Sequence, residues 1–292
     1  VRLKIYLMQN EAFVNKKTYA FDDDIVIVPG NFISNQRCGV LILDSYGKDE
    51  IDRNHADYIF CKGDDVVNIP VNDSYAINGK NINAFAIDMT GDGISELLSL
   101  RKDDYVAYKI IQEENENALK ITTFFSGKNL VKDDFIFPND FNGDGKIDLL
   151  YYSYRDSWNI MFSKGNGFNS PVSCANTNLL RYTRLNAKDR YKYSLKELDE
   201  PSVAIRTADF DGDGTSDVGV FRNSAGNYYL EIGFMPVDDG DKCNFTYTRR
   251  YYMPINYSHQ NIFIGKFLAQ ENISVLSTLS PNHYYLEKPY IT

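Results

Sequence analysis

The sequence predicts an all-β fold assembled from about five four-stranded repeats, and three observations predict it. A glycine-bearing acidic loop followed by an apolar run occurs three times and returns in two degraded copies. Aromatics make up 14% of the 292 residues, with 22 Tyr and 18 Phe but a single Trp, a mix that favours strands over helices. No convincing amphipathic helical stretch longer than three turns interrupts the pattern.

The fullest loop lies in ADFDGDGTSDVGVF, residues 208–221, where Asp209, Asp211, Asp213 and Asp217 take positions 1, 3, 5 and 9. Four carboxylates in so short a span repel one another unless a cation sits among them. The spacing suits a hard divalent ion: alternate side chains point inward, Gly212 and Gly214 permit a tight coil, and the Thr215 carbonyl offers a further oxygen. Calcium is the first candidate. AIDMTGDGISELLSL, residues 86–100, places Asp88, Thr90, Asp92 and Glu96 at the same positions, and NDFNGDGKIDLLYYS, residues 139–153, places Asp140, Asn142, Asp144 and Asp148 there. Of the degraded copies, one offers Asn31, Ile33, Asn35 and Gly39, and the other offers Lys266, Leu268, Gln270 and Ser274. Neither is expected to hold a metal.

Taken in order, the chain opens with strand-like alternation in Val1 to Met8 and a second short stretch around Thr18 to Phe21, before Asp22 to Asp24 punctuate the first repeat. The repeats begin near residues 25, 82, 134, 203 and 260. Each is read as a short strand entering the loop, the loop, a strongly apolar strand, a polar turn, an alternating third strand and a variable fourth. In the third repeat Phe135 to Pro138 enters the loop, Leu149 to Tyr154 leaves it, Trp158 to Ser163 is the third strand and Phe168 to Ser173 begins the fourth. The second strands are almost wholly apolar, as expected for strands buried on both faces. The long interval before Asp209 holds an insertion around Asn178 to Glu200, read as a solvated rim loop or short helix, with a partner-binding excursion as the sharper alternative. No Pro or Gly linker divides the chain, so residues 1–292 are expected to form one domain, with residues 1–24 completing the short final repeat.

A net charge of -9 argues against a nucleic-acid partner, which would call for a basic face. The three acidic loops carry ten of the formal negatives, and three calcium ions would offset six of them. No apolar run is long enough for a membrane-spanning helix. The start at Val1-Arg2, without a Met or a signal-like segment, reads as part of a longer protein. Cys38, Cys61, Cys174 and Cys243 show no zinc spacing; the one disulfide entertained is Cys38 to Cys61, within a single repeat, against a reading of four free thiols. His55, His259 and His283 lie in unrelated positions without nucleophile or metal motifs, so an enzyme is not expected.

The stretch DFNGDGKIDLLYYSYRDSWNIMFSKGNGFNSPVS, residues 140–173, resembles the FG-GAP and VCBS repeats of integrin-alpha-like β-propellers. The resemblance implies a β-propeller with one blade per repeat and calcium held in the loop between strands 1 and 2 of three blades. Its implied ligands are the side chains named above together with main-chain oxygens of Ile94, Lys146 and Thr215. EF-hand readings fail because strands, not helices, flank the loops, and position 12 is Ser99, Tyr151 or Val220 rather than Glu. A narrower resemblance is to the propeller of RHS-type or insecticidal-toxin-complex shell proteins. The function implied is a non-catalytic interaction or scaffold module of a secreted or cell-surface protein, with about three structural calcium ions and a protein partner. One alternative is a carbohydrate-binding propeller, in which the tyrosine pairs Tyr151–Tyr152, Tyr228–Tyr229, Tyr251–Tyr252 and Tyr284–Tyr285 each turn one ring outward to a glycan. A second is a polysaccharide lyase or glycosidase on the same scaffold.

Overall fold

In a computed structural model the described residues are 2–9, 12–20, 25–34, 39–44, 56–62, 65–72, 77, 83–112, 118–130, 135–152, 158–174, 204–224, 227–235, 243–245, 248–253, 262–265, 274–280 and 283–287. They form strands and tight loops, with no α-helix among them. The chain divides into two compact units, Val1–Lys132 with Lys164–Gly167, and Asp133–Ser163 with Phe168–Thr292.

The first unit opens with a hairpin, β1 (Arg2–Gln9) and β2 (Ala12–Ala20), which pair antiparallel as a two-stranded sheet of their own. Two meanders follow: β3 (Ile25–Gly30), β4 (Gly39–Asp44), β5 (Ala56–Lys62) and β6 (Asp65–Asn72), then β7 (Asn83–Ile87), β8 (Glu96–Leu100), β9 (Tyr105–Gln112) and β10 (Leu119–Gly127). Consecutive strands within each meander are antiparallel. The two fourth strands touch in parallel at Leu119–Val71 and Lys120–Asn72, which joins the meanders into one eight-stranded sheet. Their first strands, β3 and β7, run beside each other. Burial follows strand position: ELLSL of β8 is buried throughout, while β6 and β10 alternate between covered and exposed residues. A second strand has neighbours on both edges and packing on both faces, so polar residues there meet no water. Phe32, Leu41, Tyr58, Leu97, Tyr108 and Leu119 meet in the core between the meanders.

The second unit repeats the plan with β11 (Phe135–Asn139), β12 (Asp148–Tyr152), β13 (Trp158–Met161) and β14 (Val172–Ser173), then β15 (Ala204–Ala208), β16 (Asp217–Ser224), β17 (Asn227–Gly233) and β18 (Thr248–Met253), and ends with the three-stranded β19 (Ile262–Gly265), β20 (Ser274–Ser280) and β21 (His283–Glu287). The entering strands again lie side by side, β11 with β15 and β15 with β19. Phe141, Leu150, Trp158, Ile160, Val218 and Val220 form its core.

Strand order inside the third repeat is as expected, to within a residue or two at the ends of most elements. Two expectations are corrected. The disulfide joins Cys174 to Cys243, across two meanders of the second unit, and Cys61 is a free thiol. Pairing within one repeat looked natural in sequence, but packing of adjacent sheets is what brings the end of β14 to the segment after β17. Tyr151 and Tyr152 are both 3% exposed, so neither turns outward; β12 is a second strand and is covered on both faces. The Asn178 to Glu200 insertion, Cys38 and loop residues 266–270 lie outside the described residues.

Candidate metal centre

The three acidic loops share one backbone architecture, set by the position-1 aspartate. Asp140 Oδ1 accepts the N–H groups of Gly143 at 2.8 Å and Asp144 at 3.2 Å, and its Oδ2 accepts that of Gly145 at 2.8 Å. Asp88 does the same for Gly91, Asp92 and Gly93, at 2.7, 3.2 and 2.7 Å. Asp209 repeats it for Gly212, Asp213 and Gly214, at 2.6, 3.1 and 3.1 Å. The coil that turns these N–H groups inward needs left-handed backbone at positions 4 and 6, where φ runs from 73° to 93° across the three loops, and glycine occupies every such position.

Position 9 carries a more deeply placed carboxylate, buried where the position-1 aspartates are half-buried. Asp148 and Asp217 are fully buried, and each spends both oxygens on backbone N–H groups: Phe141 and Ser163 for the first, at 2.9 and 2.8 Å, Phe210 and Met235 for the second, at 2.9 and 3.0 Å. The acid thus ties position 2 of the loop to the end of the third strand. Position 2 is itself an apolar anchor, with Met89, Phe141 and Phe210 all buried. In the first acidic loop Glu96 accepts the Met89 N–H at 2.9 Å and reaches Lys109 Nζ at 3.5 Å.

Burial dominates the titration of these groups. It pushes Asp148 up to about 7 and Asp217 up to about 8, against the lowering by their N–H donors, and the neighbouring loop aspartates push the same way. Glu96 is also raised by burial, partly opposed by the Met89 N–H and Lys109. Asp211 is raised by burial and then by Asp213. A divalent cation among these oxygens removes the cause, because it restores to the carboxylates the charge stabilisation that burial takes away.

The remaining expected ligands divide by loop. Oxygens of Asp209, Asp211 and Asp217 lie within 4.8 Å of one another, the one such acidic group among the described residues. That separation suits a shared ion at calcium–oxygen distances of about 2.3–2.6 Å. Asp213 stands apart from them: its Oδ1 accepts both the N–H and the hydroxyl of Thr215, each at 2.7 Å, and the Thr215 hydroxyl also reaches the Met235 carbonyl at 3.0 Å. In the second loop Asn142 accepts the Asp144 N–H at 3.2 Å, while Asp144 accepts the Lys146 N–H at 2.9 Å and its ammonium at 2.8 Å. The bond to Asp144 is also the main reason that the Lys146 ammonium is raised. In the first loop the Thr90 hydroxyl is 3.5 Å from Asp88 Oδ1, and Asp92 accepts the Ile94 N–H at 2.8 Å. Among the described residues only the third loop brings three carboxylates together in a way that fits a hard cation; in the second loop Lys146 occupies Asp144.

No protein-family profile matches the chain, and neither does any curated protein. Among solved structures, one similar chain is an Agrocybe aegerita lectin whose structure describes specific recognition of non-reducing terminal N-acetylglucosamine. It is 12% identical, with 87% of this chain and 74% of that chain covered and a TM-score of 0.48. A likeness at that level decides neither fold nor ligand.

Two features of the site escaped the sequence. Thr215 entered as a carbonyl donor, yet its buried side chain links the loop to the end of β17. Ser95 and Ser216, at position 8, had no assigned role, yet their N–H groups donate to the position-1 carbonyls of the preceding loops, Asn31 at 2.9 Å and Asp140 at 2.7 Å. Main-chain donors leave no trace in residue type; the Ser95 hydroxyl oxygen, which accepts the Asn31 N–H at 3.2 Å, is the side-chain part of this contact.

Proposed function

We propose that the chain is a calcium-stabilised, non-catalytic β-propeller module of about five blades that presents binding surface to a protein partner outside the cell or at its surface. The observation that carries this reading is the convergence of Asp209, Asp211 and Asp217 on one point, in a loop whose backbone recurs twice more. The side-by-side entering strands of successive meanders support the blades. In all three loops the carboxylates already serve the loop's own N–H groups, so a cation seated there is wrapped by protein and has a structural use rather than an open position for substrate. The Cys174–Cys243 bridge suits an oxidising compartment. Tyr151, Tyr152 and Trp158 are buried and offer no platform to a sugar.

The test is thermal unfolding in calcium, in magnesium and in EDTA, followed by a glycan array in calcium. The expected result is a higher Tm in calcium than in magnesium or EDTA, with no glycan bound. Equal melting in all three buffers contradicts the calcium reading, and selective glycan binding replaces the protein partner with the carbohydrate alternative.

A further inference from the structure

We infer that a cavity at the end of β9 receives the carboxamide side chain of a glutamine or asparagine presented by the protein partner; this rests on the protein-partner reading above. The cavity, of about 360 Å³, lies wholly in the first unit. Phe32 and Ile33, just after β3, line it together with Ile94 and Glu96 of the acidic loop and Lys109 and Ile111 of β9. Phe32 is fully buried and Glu96 is 2% exposed, whereas Ile111, at 40%, is one of two large apolar side chains exposed among the described residues.

The cavity opens where the second meander departs from the later two. Asp148 and Asp217 spend their second oxygen on the N–H groups of Ser163 and Met235. By register the counterpart of those donors is Ile110, because Leu97 pairs with Tyr108 as Leu149 does with Met161 and Val218 with Gly233. There the third strand does not end: β9 runs on to Gln112, paired with β10. Glu96 Oε2 still accepts the Met89 N–H, but among the described residues its Oε1 meets only the Lys109 ammonium, at 3.5 Å. Lys109 Nζ has that distant oxygen and the Phe124 ring, 4.3 Å away. A buried acceptor and a partly exposed donor therefore stand side by side at the cavity, neither in a short hydrogen bond.

A group that serves both must donate to Glu96 and accept from Lys109. A cation is opposed by the ammonium and an anion by the carboxylate, whereas a carboxamide is neutral and carries an N–H and a carbonyl side by side. The walls at Ile33, Ile94 and Ile111 are aliphatic and suit a methylene stem. Phe32 is the one aromatic residue of the lining, and its complete burial leaves no ring face for a sugar to stack on. One side chain seated in a desolvated pocket is the usual anchor of a protein interface.

The experiment is an isoleucine methyl NMR titration of the full chain, in EDTA so that no cation contends for Glu96. The probes are N-acetyl-glutamine methylamide, its lysine and glutamate equivalents, and methyl glucoside. The expected result is that the glutamine probe alone shifts the Ile94 and Ile111 methyls, with a millimolar Kd. Lys109→Met should weaken that binding about tenfold, the loss of one charge-assisted hydrogen bond. Melting checks that this variant is folded, and Ile111→Ala, at the exposed rim, supplies a second variant that should also bind the probe more weakly. No shift from any probe, equal shifts from the three amino-acid probes, or unchanged affinity in both variants overturns the inference and leaves the protein-partner reading standing. Shifts from methyl glucoside alone overturn both in favour of a glycan.

Discussion

The ring of Tyr58 occupies the space that a side chain on Gly39 would need: a Cβ at Gly39 would lie 2.5 Å from Tyr58 Cζ. Gly39 is position 9 of the degraded first loop, where the acidic loops carry Asp or Glu. Tyr58 is fully buried there and donates its hydroxyl to the Gly30 carbonyl at 3.0 Å, with Phe32 against its ring edge-on at 5.7 Å. A neutral hydrogen bond and an aromatic pair hold the first meander at the place where the others carry a buried carboxylate.

Tyr58→Phe is therefore expected to destabilise the protein by about 0.5–1.5 kcal/mol, the net worth of a neutral hydrogen bond to a half-buried acceptor, and by the same amount in calcium and in EDTA. Denaturant unfolding in the two buffers measures it. A loss confined to calcium would place this loop among the metal sites.

Asp211 and Asp217 separate a carboxylate that serves the ion alone from one that also holds the fold. Asp211→Asn, at an exposed position, should lower Tm in calcium and leave it nearly unchanged in EDTA. Asp217→Asn should cost about 1–3 kcal/mol even in EDTA, because an amide turns a donor toward the N–H of Phe210 or Met235, and more in calcium, where a ligand is lost as well. Paired melts of the two variants check the distinction.

The stabilisation by calcium should grow with pH. Folded Asp148 and Asp217 hold protons up to about 7 and about 8, whereas an unfolded aspartate releases its proton near 3.8. Across that interval the metal-free folded chain binds more protons than the unfolded one, so its stability from these groups is highest at low pH and declines as pH rises through the folded values. Calcium competes with the same protons and binds more tightly as they leave. The Tm difference between calcium-loaded and metal-free protein, followed from about pH 5.5 to about pH 8.5, should widen; a constant difference contradicts it.

Reducing the Cys174–Cys243 bridge, which spans 69 residues of chain, should cost about 2–5 kcal/mol. Trp158 reports on it: it is the single tryptophan, it shares a core with both cysteines, and its carbonyl accepts the Cys174 N–H at 3.0 Å. Fluorescence-detected unfolding of Cys174→Ser with Cys243→Ser should show the loss, and an unchanged midpoint would mean that the bridge adds no stability.

The acidic loops were legible because their chemistry is local. Carboxylates and glycines at fixed spacing specify a coil that closes on itself, and the apolar run behind it specifies a buried strand such as β8 or β12. What was not legible depends on which sheets pack together. Cys174 finds Cys243, Ser216 finds Asp140 and Tyr58 fills the space over Gly39 through contacts between segments far apart in sequence, and no periodicity in the chain encodes those partners. The position-9 acids stand between the two cases: their place in the loop was evident, but their burial, and hence their raised titration, required the third strand to be in place.

The most direct test of the central claim is a calorimetric count of calcium ions on the wild-type chain, with magnesium as the competitor. The account predicts about three ions per chain, displaced poorly by magnesium, which demands a tighter octahedral shell than these loops provide. No calcium bound at millimolar concentration would contradict it, and would mean that backbone N–H groups, with Lys109, Lys146 and the Thr215 hydroxyl, hold the acidic side chains without an ion.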